Sequence, residues 1–210
     1  MRENNTLERF IKAQEMDYPT ALAEIQKGRK KSCWMWYIFP QIQGLGSSGT
    51  AMYYAIEDYE EAKEYMENPV TGGRLREISE ALLELESDDA TQVMGWPDDM
   101  KLRSSMTLFA LATKKNEVFL KVLDKYFESK LDARTVDILD MGHLVMRIDE
   151  PDFGCEGCPD GVEPMEKVTI MNLKSEEEIE LEISDAELYR KEIAEGSEVA
   201  VSPDGIMLRM

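Results

Sequence analysis

Cysteine, histidine and long hydrophobic runs are scarce in this sequence. Three cysteines and one histidine in 210 residues are too few for a disulfide framework, so a reducing, cytoplasmic environment is expected. No apolar run approaches the ~20 residues that a transmembrane helix requires. The first five residues, Met-Arg-Glu-Asn-Asn, lack the apolar core of a signal peptide. We therefore expect a cytoplasmic protein without a membrane partner.

Basic side chains are also in the minority, with 24 Lys and Arg against 43 Asp and Glu and a net charge of −19. A field of this sign repels phosphate backbones, so nucleic-acid backbone binding is not expected. Hydrophobic residues make up 43% and charged residues 32% of the chain, which is typical of a folded globular protein. The composition excludes several classes of partner but identifies no activity.

The residue pattern changes near Asp140. Residues 1–140 carry 25 acidic and 18 basic side chains, whereas residues 141–210 carry 18 and 6. Apolar positions repeat at helical spacing before this point, and short β-type runs separated by turn signals follow it. We predict a mainly α chain: a multi-helical N-terminal domain over residues 1–140 and a small acidic β-rich (α+β) C-terminal domain over residues 141–210.

Capping and turn signals place the individual elements. Helices are predicted over residues 5–16, 19–28, 58–67, 98–113, 117–130 and 133–139, with a further apolar helical stripe at Leu75, Ile78, Leu82 and Leu85. Strands are predicted over residues 144–148, 167–172, 178–183, 198–201 and 206–209. Ser184 is expected to cap one short helix, and Asp204-Gly205 to form a hairpin turn.

Residues 32–41 concentrate aromatic side chains, including Trp34 and Trp36. One interpretation is a core segment, since aromatic side chains dominate buried area and are costly to expose. The other is the wall of a ligand pocket, which is usually lined by apolar and aromatic groups. Burial is the commoner role of such a segment, and the sequence does not exclude the pocket.

The chain resembles domain-of-unknown-function family 1810. The stretches that carry the resemblance cover most of residues 6–139; they are Leu7-Glu8-Arg9-Phe10 with Ala13-Gln14, Gly28-Arg29-Lys30-Lys31-Ser32, Trp34-Met35-Trp36, Phe39-Pro40-Gln41, Gly44-Leu45-Gly46 and the run from Asp98 to Phe109. The resemblance implies a compact, all-helical cytosolic domain and no established activity. The family commonly has His where this chain has Cys33, so any proton-transfer role of that His is impaired or absent here. No family resemblance is identified for residues 141–210.

The segment from Met100 to Thr113 suggests a binding site. Lys101 and Arg103 enter a helix that is otherwise small or apolar, and side chains four residues apart share a helix face. Beside the aromatic segment, these cations predict a cleft for a planar anionic ligand. The residues predicted to line it are Trp34, Trp36, Gln41, Lys101, Arg103, Ser104 and Thr107. The alternatives are a buried helix whose hydroxyls bond the preceding turn, and a structural ion pair with Asp98 or Asp99.

Other motifs are weaker. The G-x-G-x-x-G spacing of Gly44–Gly49 does not lie between a strand and a helix, so a flexible turn is favoured over a dinucleotide site, although the following helix N-terminus could hold an anion. Cys155 and Cys158 form a C-x-x-C among acidic residues, without a second ligand pair for zinc. We expect reduced thiols, no metal and no cofactor, with a metal shared between two chains as the alternative. His143 is interpreted as structural or exposed, and the glutamates of residues 176–182 as a solvated strand face.

Two function classes follow from these patterns. The first is a binding module for a small anionic, nucleotide-like ligand in the predicted cleft. The alternative is an interaction protein whose acidic C-terminal domain engages a basic protein partner. An enzyme is a third class, but the sequence offers neither a nucleophile with an adjacent base nor a complete metal-ligand set.

Overall fold

A computed structural model describes residues 7–151 and 163–210. The chain divides into two compact units, Met1–Leu139 and Asp140–Met210. Helices build the first unit, and a five-stranded antiparallel sheet dominates the second. The fold is therefore α+β, and the prediction of a mainly α chain describes the first unit better than the whole.

The described part of the first unit is helical apart from its connecting segments. Its helices are α1 (Glu8–Gln26), α2 (Met35–Ile38), α3 (Gly49–Tyr53), α4 (Tyr59–Glu67), α5 (Thr71–Leu83), α6 (Ala90–Met94), α7 (Asp98–Ala112), α8 (Glu117–Phe127) and α9 (Ala133–Ile138). Asp58, Asp89 and Asp132 cap α4, α6 and α9 by accepting a backbone N–H three residues on. The predicted start of the first helix, at Asn5 and Thr6, lies outside the described residues.

The first helix corrects the sequence prediction. Two helices separated before Pro19 were expected, but α1 continues through this proline. A proline lacks the N–H that would bond the preceding turn, and tertiary packing outweighs that loss because one buried face runs the length of the helix. This face consists of Phe10, Gln14, Tyr18, Ala21 and Ile25. The helix ends as predicted near Gly28, whose φ of +75° suits a glycine.

Helix α7 is the centre of the first unit and packs against α4, α6, α8 and α9. Every residue from Ser104 to Ala112 is buried, so the interpretation of this segment as a helix buried on most sides is confirmed. The Phe109 ring lies 5.0 Å from that of Tyr65 and 6.3 Å from that of Phe119. The buried aromatic rings therefore continue from α4 through α7 to α8.

The second unit contains five strands at the positions that the short β-type runs predicted. They are β1 (Gly142–Asp149), β2 (Met165–Asn172), β3 (Glu178–Ser184), β4 (Glu198–Val201) and β5 (Met207–Arg209), in the order β3-β2-β1-β4-β5, with α10 (Asp185–Arg190) capped by Ser184. Val168 faces Leu181 and Ile170 faces Ile179 across β2 and β3. One face of the sheet thus packs with α10 into a small apolar core, and Gly205 lies in the β4–β5 turn with a φ of +77°.

Glu166 is a buried acid on β2, and we expect its replacement to stabilise the second unit. It is 6% exposed, its Oε2 has no hydrogen-bond partner within the described residues, and burial together with Asp185 and Glu150 raises its pKa. A raised folded-state pKa favours the protonated form, so stability decreases as the pH rises through that pKa. Glu166→Gln should raise the melting temperature by a few degrees at pH 7 and much less at pH 4.

The control for Glu166→Gln is the same substitution at an exposed glutamate. Glu178→Gln removes an exposed carboxylate from the neighbouring strand and should leave the melting curve unchanged at both pH values. Melting curves of wild type and Glu166→Gln that keep the same separation from pH 4 to pH 7 would contradict the assignment of the pH dependence to Glu166.

Candidate ligand-binding groove

A groove of about 350 Å³ lies at the first turn of α7, within the size range of small-molecule sites. Its walls come from α2, from the loop that leads into α3, and from the starts of α7 and α9. Four of the seven predicted binding residues line it: Trp36, Gln41, Lys101 and Ser104. The aromatic segment and the start of α7 thus meet as predicted, although three predicted residues lie elsewhere.

Trp34 is the first of these three, and it belongs to the core. Its side chain is 1% exposed, its ring centroid lies 6.2 Å from that of Phe39, and its Nε1 donates a 2.8 Å hydrogen bond to Glu24. Trp36, two residues later, is half-buried and lines the groove. The core interpretation therefore applies to Trp34, and the pocket interpretation to Trp36.

Glu24 fixes the aromatic segment and was missed by the sequence analysis. Besides the Trp34 bond, its carboxylate accepts the backbone N–H of Lys31 at 2.8 Å and both the backbone N–H and the hydroxyl of Ser32, at 3.0 and 2.5 Å. Burial opposes ionisation, but the four hydrogen bonds outweigh it and lower the pKa of Glu24 to about 2. One glutamate on an amphipathic helix carries no signal of this role, because its partners follow in a loop.

Arg103 and Thr107 support the groove without lining it. The Arg103 guanidinium donates to the carbonyl oxygens of Lys130 and Leu131 at 3.0 and 2.6 Å. The Thr107 hydroxyl donates to the Arg103 carbonyl at 2.9 Å and accepts the Asp132 N–H at 2.8 Å. Arg103 and Thr107 share a helix face, as predicted. Their side chains bind the backbone that leads into α9 and so position one wall of the groove.

Lys101 is the cation of α7 that reaches the groove, and it shares a carboxylate with a second lysine. Asp98 lies 2.7 Å from the Nζ of Lys101 and 2.7 Å from that of Lys30. Burial alone would raise the pKa of Asp98, but the two lysines outweigh it and the pKa is lowered. Because two ammonium groups share one carboxylate, a positive charge remains, and the Lys101 Nζ lies 5.1 Å from the centre of the Trp36 ring.

Arg134 is a second cation of the groove that the sequence analysis did not identify. It lies in the first turn of α9, two residues after the cap Asp132, and its side chain is exposed. Within the described part of the chain it forms no salt bridge. An isolated arginine in a short helix resembles any solvated surface charge, so only the tertiary arrangement associates it with Lys101.

The remaining motifs have structural roles where they are described. Residues 44–48 form a loop that leads into the five-residue helix α3, which begins at Gly49. The loop supplies Ser47 and Ser48 to the groove, and within the described residues no strand precedes it, whereas a dinucleotide site requires one. His143 is 7% exposed, and its Nδ1 donates to the Met141 carbonyl at 2.8 Å. Cys33 is exposed, while Cys155 and Cys158 lie outside the described residues.

Residues 7–151 and 163–210 contain no group of three or more His, Cys, Asp or Glu side chains arranged to hold a metal ion. No helix there is both long and apolar enough to cross a membrane. The glutamates of β3 are exposed, in agreement with the predicted solvated strand face.

Comparisons with known proteins agree with the resemblance described above. No curated protein matches the chain. The crystal structure of the conserved hypothetical protein Rv1873 from Mycobacterium tuberculosis matches with a TM-score of 0.64 and 42% sequence identity, over 65% of this chain and 98% of that one. The family described as "Protein of unknown function (DUF1810)" matches residues 4–139. With this match extending over most of the chain, the protein belongs to the DUF1810 family.

Proposed function

We propose that the first unit binds a small anionic ligand in the groove at the start of α7. The observation that carries this proposal is the presence of Lys101 and Arg134 in the lining of a single groove, in a chain whose net charge is −19. Asp132 also lines the groove, with its carboxylate capping α9, so the lining carries two cations against one carboxylate, an excess opposite in sign to the net charge of the chain. Such a site attracts phosphate or carboxylate groups.

Neutral groups of the groove suit the same ligand. The Gln41 side chain is half-buried and forms no hydrogen bond within the described residues, so its amide is available as both donor and acceptor. Trp36 adds an apolar surface, and Ser47 an exposed hydroxyl. These groups could orient the uncharged part of a nucleotide-like ligand, while Lys101 and Arg134 bind its anionic part.

We expect Lys101→Met and Arg134→Gln each to weaken anion binding roughly tenfold, since each removes one charge-assisted contact. Isothermal titration with pyrophosphate and adenosine monophosphate measures the effect. Lys121→Met is the matched control, because this exposed lysine of α8 is not part of the groove. Asp98 keeps its contact with Lys30 in the Lys101 variant, so the fold should persist.

An anion site in the groove also predicts a salt dependence in the same titrations. Affinity should fall as the salt concentration rises, because both cations are accessible to solvent ions. Wild-type protein that binds neither probe at low salt, or groove variants that bind as tightly as the Lys121 control, would contradict an anion site here.

The acidic second unit favours another function, binding of a basic protein partner. Glu178, Glu180 and Glu182 alternate along β3, an edge strand of the sheet, and all three are exposed. Only Glu180 has a basic partner among the described residues, Lys167 at 2.8 Å. A lysine-rich peptide in the same titration assay tests this surface, which lies in the second unit and does not involve the groove residues.

The hydrogen bonds of the groove hydroxyls give less support to an enzymatic function. A hydrolytic site needs a nucleophile that is hydrogen-bonded to a base. In the described residues, Ser104 donates to the Met100 carbonyl and Ser48 accepts the Ala51 N–H, so neither hydroxyl contacts a base. Binding without chemistry is therefore the function that the groove supports best.

A further inference from the structure

An exposed tryptophan, Trp96, directly precedes the groove-lining residue Pro97. It is 78% exposed. Met100, one turn into α7, also lines the groove and is 63% exposed. Trp96 is thus adjacent in sequence to the groove lining, and Trp96, Pro97 and Met100 are together called the apolar rim.

The three tryptophans of the chain differ sharply in their surroundings. Trp34 is buried and hydrogen-bonded to Glu24, and Trp36 is half-buried with Lys101 above its ring. Trp96 has no hydrogen bond through its indole N–H, no ring contact and no cation over its ring within the described residues. Its side chain thus contributes little to the fold, although exposing so large an apolar group to water is unfavourable.

We propose that Trp96 is a stacking platform for a flat ring of the ligand whose anionic group lies in the groove. This inference rests on the proposed function and narrows the ligand to an aromatic phosphate or carboxylate. The groove, at about 350 Å³, lies near the lower end of the size range of ligand sites. A ligand that fills it with the anionic portion extends its ring across Pro97 and Met100 to the indole, which favours offset or edge-to-face ring contacts.

Net charge and the size of the apolar rim favour a small aromatic anion over nucleic acid or a protein as the ligand. Nucleic acid is repelled by a chain of net charge −19, and one exposed indole with two apolar neighbours is less than a stable protein interface requires. A small aromatic anion satisfies both the apolar rim and the adjacent cations, Lys101 and Arg134. The rim and the groove are therefore complementary to two parts of one molecule.

A pair of probes that differ only in the ring tests the inference. Inorganic phosphate and naphthyl phosphate are titrated into the full-length protein, and intrinsic tryptophan fluorescence is followed in parallel. We expect naphthyl phosphate to bind about tenfold more tightly and to quench Trp96 emission. Trp96→Ala should abolish that advantage while phosphate affinity stays unchanged, and Trp96→Phe should retain part of it.

Tyr189→Ala is the matched control, because this tyrosine of α10 is 85% exposed and lies in the other unit. It should leave both affinities unchanged. Equal affinity of wild type for the two probes would overturn the inference and leave the proposed anion site intact, whereas absence of any binding would overturn both. A Trp96-dependent dimer in sedimentation, or equal loss of affinity for both probes in Trp96→Ala, would also overturn the platform.

Discussion

Replacing Arg9 with methionine is expected to destabilise the protein by about 3–5 kcal/mol, because it leaves a buried carboxylate without its counter-charge. The Glu61 side chain is 2% exposed, and its Oε1 lies 2.8 Å from the Arg9 Nη1. Arg9 Nη2 donates to Glu61 Oε2 at 3.1 Å and to the Ala55 carbonyl at 2.8 Å. The guanidinium thereby joins α1 to the start of α4, and methionine replaces its length but none of its bonds.

Urea unfolding of wild type and variants measures this loss. Arg9→Lys should retain part of the stability, since a lysine keeps the charge but cannot form the two-pronged contact. The double variant Arg9→Met with Glu61→Gln should be more stable than Arg9→Met alone, because the stranded charge is gone. Lys12→Met removes the cation of an exposed pair on the same helix and should not shift the unfolding midpoint. A single variant no less stable than the double variant would contradict a buried ion pair.

Glu24→Gln is expected to lower the free energy of unfolding by about 2–3 kcal/mol at pH 7, since charge-assisted hydrogen bonds are stronger than neutral ones. The carboxylate accepts bonds from Lys31, Ser32 and Trp34. An amide has a single acceptor oxygen, and its NH₂ group would face donors. The segment that carries Trp34 and Trp36 should therefore loosen, which near-ultraviolet circular dichroism detects.

The pH dependence of this effect has a defined sign. The pKa of Glu24 falls from an ordinary 4.5 to about 2 in the folded state, so its stabilisation is complete above about pH 4.5 and is lost as the pH falls toward 2. The difference in stability between wild type and Glu24→Gln should shrink through this window. Glu15→Gln, an exposed site on the same helix, should be neutral throughout. A wild-type advantage that persists unchanged at pH 2 would refute the assignment.

Local patterns were sufficient for most of the secondary structure. The five strands of the second unit follow from short β-type runs between turn signals, such as the turn at Gly205. In β3 apolar residues alternate with glutamate, and period-two alternation has one structural solution beside a one-sided core. Caps such as Asp58 and Asp132 act on N–H groups three residues away, so their signals are local. The resemblance to DUF1810, carried by contiguous motifs, was likewise visible in the sequence.

Positions that depend on distant partners were not predictable in this way. Pro19 marks a helix start by local rules, yet α1 continues through it because a buried face spans both sides. Trp34 and Trp36 have similar local sequence contexts, and a hydrogen bond to Glu24 distinguishes the buried one from the one in the groove. Packing energy and long-range hydrogen bonds determine the course of the helix and the burial of each tryptophan, and neither can be deduced from residue spacing.

The sequence by itself determined three properties of this protein: its acidic net charge, the change from helical to β patterning near Asp140, and the presence of aromatic and cationic segments in the helical part. Tertiary structure alone decided which cations reach the groove. Arg103 and Lys101 lie on one helix, but Arg103 is bound to backbone carbonyls, while Lys101 faces the groove together with Arg134 from α9. The reason is physical: a side chain's charge is a local property, whereas its partner depends on which backbone and side-chain groups the fold brings within hydrogen-bonding distance.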